Sequence, residues 1–215
     1  MADEDSTVES FKVVLVGESG VGKTSIITQF IDQTFQQDQQ STTGGTFSTK
    51  TVVCDTGKVL KFEIWDTAGQ ERYRSLTKMF YKDANAAVMV YDITRKESFE
   101  ELKTYWAEQI KESSPKEIIL AVAANKSDLI DQEVVDEGEA RDFAKEYGAL
   151  FTSTSAKNTS GVNNLFEEIA KKYTGATTIT IKNDDDEPAQ VENTKKDSVK
   201  LDGKEKKKEK KKGFC

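Results

Sequence analysis

Phe11-Lys12-Val13-Val14-Leu15-Val16-Gly17-Glu18-Ser19-Gly20-Val21-Gly22-Lys23-Thr24 joins an apolar run to a glycine-rich loop. The apolar half reads as a buried strand. The second half matches G-x-x-x-x-G-K-[ST], and a helical pattern follows from about Gly22 to Ile31. Strand, glycine loop and helix in that order make a phosphate cradle. The glycines let the backbone wrap a phosphate without Cβ clashes, the amide N–H groups point inward, and the helix N-terminus adds positive potential. Ser19, Gly20, Val21, Gly22, Lys23, Thr24 and Ser25 are therefore the candidate phosphate-binding residues. Lys23 is expected to reach the terminal phosphates and the Thr24 hydroxyl to ligate Mg²⁺. On this loop alone the nucleotide is either ATP or GTP.

Outward from the loop, strands and helices alternate as far as Tyr173. Segments near Thr46–Asp55 and Val59–Asp66 flank a Thr56-Gly57 turn, the signal of a hairpin. Ala86–Asp92 and Ile118–Ala124 are nearly continuous apolar runs, which suits strands buried on both faces of a parallel sheet. Helical patterns occupy roughly Ser98–Ser113, Glu137–Tyr147 and Val162–Tyr173, with a short strand at Ala149–Thr154. The expectation is an α/β three-layer domain over residues 11–173. Its sheet would have six strands, mostly parallel, with one antiparallel edge strand, and ligands would bind at the carboxyl ends of the strands.

Two further motifs fall at such strand ends. Asn125-Lys126-Ser127-Asp128 follows the apolar strand Ile118–Ala124. A carboxylate there can accept two hydrogen bonds, from guanine N1–H and the exocyclic amine. Adenine would leave Asp128 buried and unpaired, the strong form of rejection. Ser155-Ala156-Lys157 follows the short strand and can set a backbone N–H near the guanine oxygen. The second motif is Trp65-Asp66-Thr67-Ala68-Gly69-Gln70-Glu71. Asp66 can hold Mg²⁺ through a water, Gly69 can offer an amide to the γ-phosphate, and Gln70 can orient an attacking water. Phosphoryl transfer asks for positioning and charge neutralisation more than covalent chemistry.

Composition bounds the rest. Histidine is absent, which excludes His-based triads and His-ligated zinc sites. There are two cysteines, Cys54 and the final residue Cys215, so a disulfide framework is not expected. No run of about 18 apolar residues offers a membrane span. The acidic start does not read as a secretory signal. The net charge is −7, but residues 174–215 carry eleven Lys against nine acidic side chains, leaving −9 on residues 1–173. An acidic body is a poor partner for nucleic acid. Residues 1–10, and residues 174–215 with their Asp184–Glu187 and Lys204–Lys212 charge blocks, are expected to be disordered.

The spacing of these motifs resembles the Ras superfamily and, within it, the Rab family of vesicle-traffic GTPases. Rab-like stretches are Lys61-Phe62-Glu63-Ile64-Trp65, Arg72–Thr77 and Tyr91-Asp92-Ile93-Thr94. Lys61–Leu76 looks most like the early-endosomal branch. The resemblance implies a P-loop GTPase domain binding GTP/GDP and Mg²⁺. It implies that Thr42 senses the γ-phosphate through the metal, that Phe35 lies against guanine, and that Phe47, Trp65 and Phe80 form an effector-reading patch. It also implies a monomeric switch that hydrolyses GTP and recruits effectors in vesicle or endosomal membrane traffic. An exchange factor, a GTPase-activating protein and a prenyl-binding escort or GDP-dissociation inhibitor would serve it, at the cytoplasmic face of endosomal or vesicle membranes. No arginine is expected in or beside the phosphate loop, so an activating partner is expected to supply one.

The sequence departs from the family at Thr43, where a bulky apolar residue is usual, at Gly44-Gly45, and at Phe80-Tyr81-Lys82-Asp83-Ala84. It ends in one cysteine rather than two. Cys215 behind the basic run Lys204–Lys212 makes a two-signal membrane anchor, prenyl group plus charge. Two other readings fit parts of the chain. Asp128 speaks against an ATP-dependent P-loop kinase. Intact Thr24, Thr42, Asp66 and Gln70 speak against a non-hydrolysing nucleotide-bound scaffold.

Overall fold

The computed structural model describes residues 8–40, 42, 45–67 and 80–182. In chain order the elements are β1 (Val8–Val16), α1 (Lys23–Asp32), β2 (Gly45–Cys54), β3 (Val59–Thr67) and β4 (Ala86–Asp92). A helical stretch follows, made of α2 (Lys96–Glu101), a π-helical turn (Leu102–Trp106) and α3 (Ala107–Ser113). Then come β5 (Ile119–Asn125), a 3₁₀ turn (Ser127–Gln132), α4 (Glu137–Glu146), β6 (Leu150–Ser153), α5 (Val162–Thr174) and β7 (Ile179–Ile181).

The strand order is β6-β5-β4-β1-β3-β2-β7. β1 pairs in parallel with both β3 and β4, and β5 in parallel with β4 and β6. β2 runs antiparallel to β3, closing the expected hairpin, whose turn uses Gly57 at φ 81°. Every residue of β4 is buried, as its unbroken apolar sequence requires of a strand covered on both faces. On one face α1 and α5 bury Phe30 and Phe166 as a stacked pair 3.9 Å apart, against Phe62. On the other, the 96–113 helical stretch and α4 bury Tyr91, Phe99, Trp106 and Phe143. Because strand order reverses at β1, the loop leaving it opens into a crevice between diverging connections, where α/β sheets take their ligands.

Two expectations are corrected. The sheet has seven strands among the described residues, not six, and β2 is not an edge. β7 pairs antiparallel with it, Ile181 opposite Val52 and Ile179 opposite Cys54. Part of the segment read as tail is thus folded. Asp55 explains it, because its carboxylate accepts from the Thr177 amide and hydroxyl and from the Thr178 amide, fastening the chain after α5 onto the hairpin. At the other end β1 begins at Val8 rather than Phe11. The side chains of residues 8–10 are exposed, but their backbones find partners in β3 at residues 59–61.

Candidate functional site

The loop from Gly17 to Gly22 takes the shape its glycines allow. Gly17, Gly20 and Gly22 have φ of 139°, 80° and 98°, a region L side chains rarely adopt. Space forbids substitution too. A Cβ on Gly17 would meet Val90 O at 2.2 Å, and one on Gly22 would meet Asn125 Nδ2 at 2.3 Å. Lys23, at the start of α1, is 5% exposed and curls back so that Nζ donates to Gly17 O at 2.7 Å and Glu18 O at 2.9 Å. Burial pushes its ammonium down to about 8, against the pull of Asp66.

Beside this loop three oxygen donors from three separate segments converge. Thr24 Oγ1 donates to Asp66 Oδ2 at 2.5 Å, Thr42 Oγ1 lies 2.8 Å from Thr24 Oγ1, and Thr42 Oγ1 donates to Asp66 Oδ2 at 3.3 Å. Asp66 is 2% exposed, and its Oδ1 is buried without a hydrogen-bond partner. Burial raises its carboxyl pKa above the ordinary value, partly offset by Thr24 and Lys23. Two hydroxyls and a half-satisfied buried carboxylate are an oxygen-only set of the kind a hard cation such as Mg²⁺ takes.

At the far end of the cleft the β5 and β6 loops interlock. Asn125, 2% exposed, donates Nδ2 to Val21 O at 2.8 Å and accepts from Thr154 Oγ1 at 3.2 Å. Its amide braces the phosphate loop from behind. Lys126 has φ 67° and sets Nζ 2.7 Å from Asp92 Oδ2. Asp128 accepts from Ser155 Oγ at 2.5 Å, with Lys157 Nζ at 4.0 Å. Ser155 is fully buried, so it aims Asp128 from beneath.

One cleft of about 390 Å³ unites these groups. Ser19, Gly20, Gly22, Lys23, Thr24, Ser25, Phe35, Thr42, Asn125, Lys126, Asp128, Ala156 and Lys157 line it. Three expected residues do not, and one of them, Asp66, is buried just behind Thr24 and Thr42 and acts through its bonds to them. Val21 is fully buried core beneath the loop, and Ser155 acts through Asp128. Gly69, Gln70 and Cys215 lie outside the described residues. The sequence reading passed over Gln36, Gln37, Gln39, Gln40, Thr67 and Leu129, which also line the cleft. The glutamines directly follow Phe35, and that adjacency was the available signal. It also passed over Arg95. An arginine does lie against the phosphate loop, Nη2 donating to Ser19 O at 2.8 Å, though it is far away in sequence.

Phe47, Trp65 and Phe80 form one aromatic row, with ring centroids 5.2 Å and 5.6 Å apart. Phe47 and Trp65 are direct partners across β2 and β3, and Phe47 is half exposed. Gly45 belongs to this row. A Cβ there would meet the Phe80 ring at 2.8 Å, so the glycine is a packing position more than a source of slack.

Comparison with known proteins places this geometry in context. The Ras family model matches residues 12–175. The chain is 44% identical over 165 residues to Ras-related protein Rab-22A of Homo sapiens, covering 77% of this chain and 84% of that protein. It is 43% identical over 169 residues to Rab-22A of Canis lupus familiaris, covering 79% and 86%. Ras-related protein Rab-31 of Rattus norvegicus is 44% identical over 165 residues, covering 77% and 84%.

Proposed function

This chain belongs to the Ras family, among its Rab GTPases, and from that premise we propose how its cleft performs the GTP-binding and GTP-hydrolysing switch. The observation that carries the assignment of roles is that the Asp128 carboxylate and the Thr24 and Thr42 hydroxyls open on one cleft with the phosphate loop, while Asp66 takes hydrogen bonds from both hydroxyls.

Asp128, oriented by Ser155, takes the guanine N1–H and exocyclic amine, while Phe35 and the Lys126 stem cover the faces of the base. Lys23 neutralises the terminal phosphates. Thr24, Thr42 and Asp66 would hold Mg²⁺, which when bound would add charge neutralisation for the phosphates. Gln70 orients the attacking water. Thr42 belongs to a different segment from Thr24 and Asp66, so whatever disengages it also releases the chain leading into β2. That is how the nucleotide state is conveyed to the aromatic row.

Rab GTPases work with exchange factors, activating proteins, effectors and dissociation inhibitors. We place this one on endosomal or vesicle membranes, held by Cys215 and the Lys204–Lys212 run, with residues 8–182 as the GTPase body. The test is single-turnover hydrolysis by purified protein loaded with GTP. Wild type hydrolyses slowly. Gln70→Leu retains nucleotide and loses stimulation by an activating protein. A Gln70→Leu variant stimulated as well as wild type would remove Gln70 from the mechanism.

A further inference from the structure

Three successive carbonyls of the phosphate loop are each held by a cation. Lys23 takes those of Gly17 and Glu18, and Arg95 takes that of Ser19, 76 residues away in sequence. Arg95 sits in the turn between β4 and α2, where its own backbone is fixed. Its N–H donates to Asp92 O at 3.0 Å, and its carbonyl accepts from Ser98 N at 3.1 Å and Ser98 Oγ at 2.7 Å. Its guanidinium also pairs with Glu18, Nη2 to Oε2 at 3.1 Å. Nη2 makes both contacts, one to a backbone oxygen and one to the side chain of the residue before it.

The peptide plane gives this contact its consequence. The Ser19 carbonyl and the Gly20 N–H belong to one trans peptide and point in opposite directions. Gly20 has φ 80° and little steric restraint of its own. A peptide flip there would withdraw an amide from the phosphate cradle, and a fixed partner on the Ser19 oxygen prevents it. We infer that Arg95 is a positioning residue for nucleotide binding: it locks the Ser19–Gly20 peptide, with Glu18 holding the guanidinium in place. This rests on the nucleotide reading of the cleft. Lysine is an incomplete replacement, since Nη2 makes both contacts from the end of a rigid planar guanidinium, and a shorter, flexible ammonium stem does not hold one nitrogen there as firmly.

The experiment is release of fluorescent GDP from the full chain, with GMP affinity, read by competition, as the control for a ligand too short to fill the loop. Arg95→Ala should speed GDP release about tenfold, which corresponds to about 1.4 kcal/mol and to one hydrogen bond from a charged group. GMP affinity should change less than about twofold, because the base end is untouched. Glu18→Gln should give a smaller acceleration, and combining it with Arg95→Ala should add nothing further, because Glu18 acts through Arg95. Arg95→Lys should recover only part of the loss. Release from Arg95→Ala within about twofold of wild type, or equal losses for GDP and GMP, overturns the role. If Arg95→Ala does not fold, Glu18→Gln releasing GDP at the wild-type rate overturns it instead. Failure of the wild-type chain to retain GDP overturns the nucleotide reading itself, a separate result.

Discussion

Lys23 is almost sealed from water, and burial holds its ammonium down to about 8 against an ordinary 10.5. The unfolded chain therefore binds more protons there between those values, so the protein without nucleotide should gain stability as pH rises through that window. Nucleotide reverses the sign. Phosphate oxygens beside Lys23 raise its pKa, so binding takes up protons and affinity falls as pH climbs above about 8. Calorimetry in two buffers of different ionisation enthalpy, near pH 8, should report an uptake of about half a proton per GDP. Zero uptake would mean that Lys23 is fully charged before the phosphates arrive. Asp128 gives a second test at this scale. Asp128→Asn should weaken GTP about 100-fold, the loss of a buried charge-assisted pair, and should favour xanthine nucleotide, whose 2-position carries an acceptor. An unchanged GTP-to-XTP preference would take Asp128 out of the base site. Asp128 was legible because its motif is contiguous and sits at a strand end. Arg95 and the bracing use of Asn125 were not, because Ser19 and Val21, the residues they hold, lie 76 and 104 residues away in the chain and only folding brings them together.

Among the elements, β7 is the one the sequence concealed. Ile179-Thr180-Ile181 is too short for alternation to register, and its docking site is made by Asp55 on a distant hairpin. The long apolar strands and the phosphate loop showed themselves because each carries its pattern within one contiguous stretch. The strap depends on the Asp55 carboxylate more than on apolar burial, since Ile179 and Ile181 are only half-buried. Asp55→Ala should free it. Hydrogen exchange at the Lys182 amide, which donates to Thr51 O at 3.0 Å, should accelerate about tenfold or more. Amides of β1, β3 and β4 should keep wild-type protection. If Lys182 stays protected, β7 is held by its strand pairing alone.

At the scale of the whole molecule, the route from nucleotide to partner passes through Gly45. Thr42 is tied to Thr24 and Asp66, β2 begins three residues later, and Gly45 packs under Phe80, which continues through Trp65 to Phe47. Gly45→Val puts a Cβ where the Phe80 ring stands, 2.8 Å away, and the ring must leave the row. A Cβ at Gly45 would also lie 3.6 Å from Asp66 O, an ordinary contact, but the side-chain hydrogen bonds of Thr24, Asp66 and Asp128 do not involve Gly45, so nucleotide binding should survive. The expected result is a protein that holds GTP with near-normal affinity and has lost capture of GTP-dependent effectors. Phe80→Ala, which shortens the row without a clash, should weaken capture less and in the same direction. Both variants should cycle nucleotide under an exchange factor, provided that factor does not itself read the row. A Gly45→Val protein that captures effectors as well as wild type would mean that partners read this surface without the aromatic row. The nucleotide would then have to reach them by a route that does not run through Phe47, Trp65 and Phe80.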